Sequence, residues 1–128
     1  MSQFAVAFRT LDAAPGAPVR ALDLVGELDA HTAPDFEAAL EASLAEGHAR
    51  IVVSGAELAY VSSAGLGMFM AYLEPTREAG GDLKVAALRE DVLEVFDLLG
   101  FPLLFDIQPT VDAAVARYAA GAVGPDPA

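Results

Sequence analysis

Short apolar runs rich in β-branched residues alternate with longer stretches of helical periodicity along this chain, and the alternation repeats three times between Val19 and Ile107. A strand–helix–strand unit that crosses over in the usual right-handed sense leaves its strands parallel and adjacent, with the helix packed on the sheet. Three such units in succession restrict the chain to an α/β sheet. The strands are read at Val19 to Glu27, Arg50-Ile51-Val52-Val53, Asp82 to Leu88 and Leu103 to Ile107. An earlier run, Phe4 to Phe8, is separated from the first of these by Ala14-Pro15-Gly16-Ala17-Pro18. So short and turn-rich a connection predicts an antiparallel pair.

Four helices fill the remaining segments. The first spans about Ala33 to Glu46, with Thr32 as N-cap, Pro34 in the first turn and Gly47 as stop; Phe36, Leu40 and Leu44 recur every fourth residue and should face the sheet. The second runs from near Ala64 to Ala79, with Leu66, Phe69, Met70 and Leu73 inward, and ends at Gly80-Gly81. Asp91 to Leu99 forms the third, with Val92, Val95, Phe96 and Leu99 inward, and Thr110 caps a fourth that ends at Tyr118. The expected order is β-β-α-β-α-β-α-β-α. It makes one domain over 4–118, a mixed sheet with the first strand antiparallel, followed by a flexible tail over 119–128.

Composition narrows function by exclusion. The formal net charge is −12 and Lys84 is the single lysine. Such a field disfavours nucleic acid and anionic lipid, since each phosphate contact needs local positive charge. It keeps the chain soluble and suits a basic protein partner. The absence of cysteine removes disulfides and thiolate metal sites. No apolar run is long enough to span a bilayer, and Met1-Ser2-Gln3-Phe4 lacks the features of a secretion signal, so the expected location is the cytoplasm.

Catalytic and cofactor chemistry finds little support. His31 and His48 flank the first helix, roughly 20 Å or more apart at 1.5 Å per residue, so they cannot share a site. No paired His or Cys spacing suggests a metal, no Gly-x-x-x-x-Gly-Lys cradle is present, and Gly65-Leu66-Gly67 lacks the third glycine of a dinucleotide fingerprint. Ser62 and Ser63 do not sit in Gly-x-Ser-x-Gly, which counts against a hydrolase using Ser63. No catalytic residue, metal or cofactor is therefore expected. The serines instead enter a helix, where either hydroxyl can cap free amides. Gly65 and Gly67 remove bulk beside them, and Met68 and Tyr72, on the side away from the apolar stripe, form a candidate docking patch.

Leu24-Val25-Gly26-Glu27-Leu28-Asp29, Thr32-Ala33-Pro34, Tyr60-Val61-Ser62-Ser63-Ala64-Gly65-Leu66-Gly67 and Val95-Phe96-Asp97-Leu98-Leu99-Gly100-Phe101 together resemble the STAS family, in particular the bacterial anti-sigma-factor antagonists. The resemblance runs from about Phe4 to Tyr118. It implies partner switching: the antagonist binds an anti-sigma factor that is also a GHKL-type serine kinase, and so frees the sigma factor. Phosphorylation at the start of the second helix ends the binding, and a PP2C-type phosphatase reverses it. In the family's usual Asp-Ser-Ser/Thr-Gly-Leu motif the phosphorylated serine follows the aspartate, which places it at Ser63. Here Ser62 stands in the aspartate's place and Ala64 in that of a second hydroxyl, making Ser62 the second candidate acceptor. Partner contacts are expected at Asp29, Thr32, Ser62, Ser63, Ala64, Gly65, Gly67, Met68 and Tyr72. The main alternative is a STAS binding module, never phosphorylated, docked on a transporter ATPase or a larger signalling assembly. A homodimer through the first strand or exposed apolar residues is left open.

Overall fold

The computed structural model describes residues 3–125. Its elements are β1 (Ala5–Leu11), β2 (Val19–Leu28), α1 (Ala33–Ala45), β3 (Arg50–Val61), α2 (Ser63–Glu78), β4 (Asp82–Ala86), α3 (Glu90–Leu98), a 3-10 turn (Phe101–Leu103), β5 (Ile107–Gln108) and α4 (Val111–Ala119). The five strands lie in the order β1-β2-β3-β4-β5. The β1–β2 hairpin is antiparallel and every other pairing is parallel, as the alternation of elements predicts.

Because each parallel crossover joins neighbouring strands in the same sense, α1, α2 and α3 fall on one face of the sheet. There Phe36, Leu40, Leu66, Phe69, Leu73, Val92 and Phe96 meet Leu22, Leu24, Ile51, Val53, Leu83 and Val85. The Phe69 ring centroid lies 5.1 Å from that of Phe36, 5.4 Å from Phe96 and 6.3 Å from Phe105. Offset and edge-to-face contacts of this kind add to the area that each ring buries. α4 covers the other face over β3 to β5, where Ala114 and Tyr118 pack on Val52 and Ala86.

That second face carries a buried ionic cluster. Lys84 is fully enclosed, and its Nζ lies 3.0 Å from Asp82 Oδ2 and 2.9 Å from Asp106 Oδ2. Arg77 Nε donates to Asp82 at 2.9 Å and Arg117 Nε to Asp106 at 2.8 Å. Burial pushes both carboxyls up. For Asp82 the Gly124 amide, Arg77 and Lys84 outweigh it, and for Asp106 Gln108, Lys84 and Arg117 do so, leaving both below the usual carboxylate range.

Several expectations need correction. β3 runs eight residues past Val53, with Ser54 and Gly55 buried in mid-sheet; a Cβ on Gly55 would meet Leu88 Cδ2 at 2.5 Å. The run Leu103 to Ile107 is not a strand. Gly100, at φ 77°, ends α3, the 3-10 turn drops Phe101 and Phe105 into the core, and pairing is delayed until Ile107. Leu99 is 56 % exposed rather than inward, and Leu98, Leu103 and Leu104 are exposed beside it. The tail expected to be flexible after Tyr118 is tied to the ionic cluster as far as Gly124, while residues 126–128 lie outside the described residues.

Candidate functional site

The carboxyl ends of β2 and β3 lie side by side, and each feeds a helix. Leu28 pairs with Val61, and the Ser62 amide donates to Leu28 O at 2.8 Å. The two turns that follow, Asp29 to Thr32 and Ser62-Ser63, are thereby placed together at the edge where open α/β sheets present their loops.

The first turn is built by Asp29. Its Oδ1 accepts from the His31 amide at 2.9 Å and the Thr32 amide at 3.2 Å. Desolvation pushes the carboxyl up, but these amides and the Thr32 hydroxyl outweigh it and hold Asp29 ionised below its ordinary range. Thr32 does not cap α1 with its side chain, contrary to expectation. Its hydroxyl instead donates to Glu27 O at 2.8 Å and accepts from the Asp29 amide at 2.8 Å. The turn closes through this exchange, so Thr32 is committed to holding the loop. An Asp three residues before a Thr is the sequence signal for such an arrangement.

At the second turn Ser62, in extended backbone, supplies the cap: its Oγ accepts from the Gly65 amide at 3.4 Å. Ser63 is the first helical residue and is exposed, and no acidic side chain occupies the first turn. Its amide and that of Ala64 precede Leu66, the first whose amide donates within the helix, to Ser62 O at 2.9 Å, so positive potential gathers beside its hydroxyl. Gly65 is small for an internal reason, because a Cβ there would lie 2.7 Å from Leu28 Cγ. Only Gly67 opens to solvent, and a Cβ placed on it would meet nothing within 4 Å.

The outward stripe of α2 is Ser63, Gly67, Met70, Ala71 and Glu74, spaced as one helical face. Here the expected docking patch is wrong in two places. Tyr72 is buried between α1 and α2 with its hydroxyl donating to Glu41, an environment that raises its pKa through burial and then through that carboxylate. Met68 is half-buried against the core, and Met70, expected inward, is 46 % exposed. A helix apolar nearly all round gives no unique face, which is why periodicity alone misplaced these residues. Tyr60, 51 % exposed at the end of β3 and paired in register with Glu27, joins the surface beside the serines. Among the described residues no group of three His, Cys, Asp or Glu could hold a metal ion.

Comparison with known proteins identifies the family. The family model described as STAS domain matches residues 11–114. The chain belongs to the STAS domain family. This STAS domain is 33 % identical over 95 residues to BtrV of Bordetella bronchiseptica, a putative anti-sigma factor antagonist by its description, covering 74 % of the chain and 82 % of the relative. It is 30 % identical over 94 residues to the anti-sigma-B factor antagonist of Bacillus subtilis, covering 73 % and 85 %. Among solved structures, an anti-sigma factor antagonist from Mycobacterium paratuberculosis superposes with a TM-score of 0.72 at 26 % identity, over 87 % of this STAS domain and 92 % of that chain. The anti-sigma factor antagonist SpoIIAA in its unphosphorylated form shares the fold at TM-score 0.69 and 20 % identity, over 92 % and 100 %. No helix among the described residues is long and apolar enough to cross a membrane.

Proposed function

We propose that this STAS domain is an anti-sigma factor antagonist that works in the cytoplasm by partner switching. It binds an anti-sigma factor of the GHKL serine-kinase type through the Asp29–Thr32 turn, the Ser62–Gly65 turn and the outward face of α2. Phosphorylation of Ser63 ends that binding, and a PP2C-type phosphatase restores it. The curated relatives and solved neighbours carry the antagonist description, and SpoIIAA has been solved in a phosphorylated form as well as an unphosphorylated one.

The observation that carries the reading is the division of labour between the two serines. Ser62 has its hydroxyl on the Gly65 amide and its own amide on Leu28, whereas Ser63 is exposed at the positive end of a sixteen-residue helix. A phosphoryl group brings about −1.5 to −2 charges, which the helix terminus tolerates within this chain. The penalty falls on the complex, where a partner fitted to a neutral hydroxyl must desolvate the new charge. A loss of about 3 kcal/mol lowers affinity more than a hundredfold. The fold survives while the binding switches off.

The test is incubation with the anti-sigma factor kinase that the chain captures from its native cell, and ATP, followed by intact mass and peptide mapping. Modification at Ser63, abolished in Ser63→Ala and accompanied by weaker binding of Ser63→Asp, is the expected result. An unmodified chain, or Ser63→Asp binding as tightly as the parent, sinks the switch and leaves a docking module.

A further inference from the structure

Beyond the last helix the chain does something that partner switching does not require. Gly121, at φ 77°, ends α4 in a reversal in which the Gly121 amide donates to Tyr118 O at 2.9 Å and the Ala122 amide to Arg117 O at 3.0 Å. This pair of bonds with a left-handed glycine is the Schellman arrangement, and it turns the chain back along the helix it has just left. The next residues land on the ionic cluster. Ala122 O accepts from Lys84 Nζ at 3.0 Å, the Gly124 amide donates to Asp82 Oδ2 at 2.9 Å, and Gly124 O accepts from Arg117 at 3.2 Å. Gly124 is itself at φ 78°, which orients its amide and carbonyl toward opposite charges of the cluster.

An ammonium has three N–H donors. Two of those of Lys84 are met by Asp82 and Asp106, and the third by the Ala122 carbonyl, while the Tyr118 ring centroid lies 4.5 Å from Nζ. Full enclosure of the lysine thus draws on the Ala122 carbonyl of a short segment beyond the last helix. We propose that residues 120–125 are a strap that opens and closes independently of the domain, and that it gates access to Lys84, the only lysine of the chain. With the strap closed the amine is sealed. With it open, Lys84 loses one acceptor, Asp82 one donor, and solvent reaches the face of β4 beneath α4.

Because the lysine is unique, side-chain amine acylation reads the strap at one position, which peptide mapping separates from acylation of the α-amino group. The full-length protein is treated with N-hydroxysuccinimidyl acetate, whose ester carbonyl the neutral amine attacks; the amide forms and N-hydroxysuccinimide leaves, the proton passing to buffer. Acylation at Lys84 is followed by mass spectrometry. Gly124→Pro removes the amide given to Asp82 and cannot adopt a positive φ, and Gly124→Ala strains the same position more mildly. Faster labelling is expected in both, by about tenfold or more for the proline variant. That labelling should also be nearly independent of urea well below the unfolding transition, as local opening exposes little surface. Leu73→Ala, which weakens the opposite face, serves as the comparison: its Lys84 labelling should rise steeply with urea. Should both Gly124 variants label no faster than the parent, or label with the full urea dependence of global unfolding, the strap is not a separate opening unit.

Discussion

The two faces of this sheet are closed by different physics. On the α1–α3 side the closure is apolar: Phe69 at its centre touches three other rings and is fully buried. On the α4 side a nine-residue helix packs Ala114 and Tyr118 on Val52 and Ala86, and beside them Lys84, Asp82 and Asp106 are buried and joined by two arginines, with the Tyr118 hydroxyl on the Asp82 main-chain carbonyl. Apolar closure is additive in area and tolerant of direction. Ionic closure depends on every donor and acceptor being met at once, because the desolvation of a buried charge is repaid only by full partnering. The proposed docking surface hangs on the tolerant side, where a change at the Ser63 end of α2 is absorbed by packing.

The sharpest way to break this contrast is to remove one member from each face. Phe69→Ala should cost about 3–5 kcal/mol, from lost burial and the cavity it leaves. Lys84→Met should cost a similar amount, about 3–5 kcal/mol, because two aspartates lose a shared cation. The faces then part company. Adding Asp82→Asn and Asp106→Asn to Lys84→Met should deepen the loss, because Arg77 and Arg117 then lose their carboxylates and the defect is one of charge partners, whereas a second apolar truncation beside Phe69 only deepens its cavity. Urea unfolding followed by circular dichroism measures both series. If Lys84→Met is neutral, or the triple variant is no worse than the single one, ionic closure is not what holds α4.

Acid separates the faces next. Asp82 and Asp106 have folded pKa values below their unfolded ones, so in the folded state they hold their protons less readily. Their contribution is present above the unfolded carboxylate value, about 3.9, and is lost as the pH falls through the folded values. The urea midpoint of the parent should therefore drop as pH is lowered from about 5 toward 3, and that of the Lys84→Met, Asp82→Asn, Asp106→Asn variant should fall less. Parallel curves for the two proteins would place the acid sensitivity elsewhere.

The same contrast explains what the sequence disclosed. The apolar face was legible because Phe36 and Leu40 on α1, or Leu66, Phe69 and Leu73 on α2, announce themselves by spacing. Errors there fell on Met68, Met70, Tyr72 and Leu99, where methionine, tyrosine and leucine fit either side of a helix boundary. On the ionic face nothing in the spacing of Lys84, Asp82 and Asp106 marks them as buried, because charged residues ordinarily read as solvent-facing and only the pairing of β4 with β5 brings Asp106 to the other two. For that reason the segment from Gly121 onward read as frayed. The candidate site showed in the sequence as two hydroxyls at a helix entry, whereas the exchange between Asp29 and Thr32 and the exposure of Tyr60 needed the fold.

Helix caps give the smallest and most local test. Thr110 Oγ1 accepts from the Ala113 amide at 3.0 Å at the start of α4, while Ser62 Oγ accepts from Gly65 at 3.4 Å at the start of α2. A cap is worth about 1 kcal/mol on average, less where the bond is long. α2 has sixteen residues and four large core side chains to hold it, whereas α4 has nine residues, with Ala114 and Tyr118 its buried ones. Thr110→Ala should therefore cost about 1 kcal/mol and Ser62→Ala about 0.5 kcal/mol, both read from urea midpoints. The amide exchange of the two variants should differ more than the midpoints do. Losing the α4 cap loosens the helix that anchors Tyr118 and the strap, so protection should fall across 111–124. In Ser62→Ala the change should stay within the first turn of α2, leaving the fold beneath Ser63 undisturbed. If Ser62→Ala instead loosens all of α2, packing on the apolar face does not hold the helix as argued, and the platform for Ser63 depends on its cap.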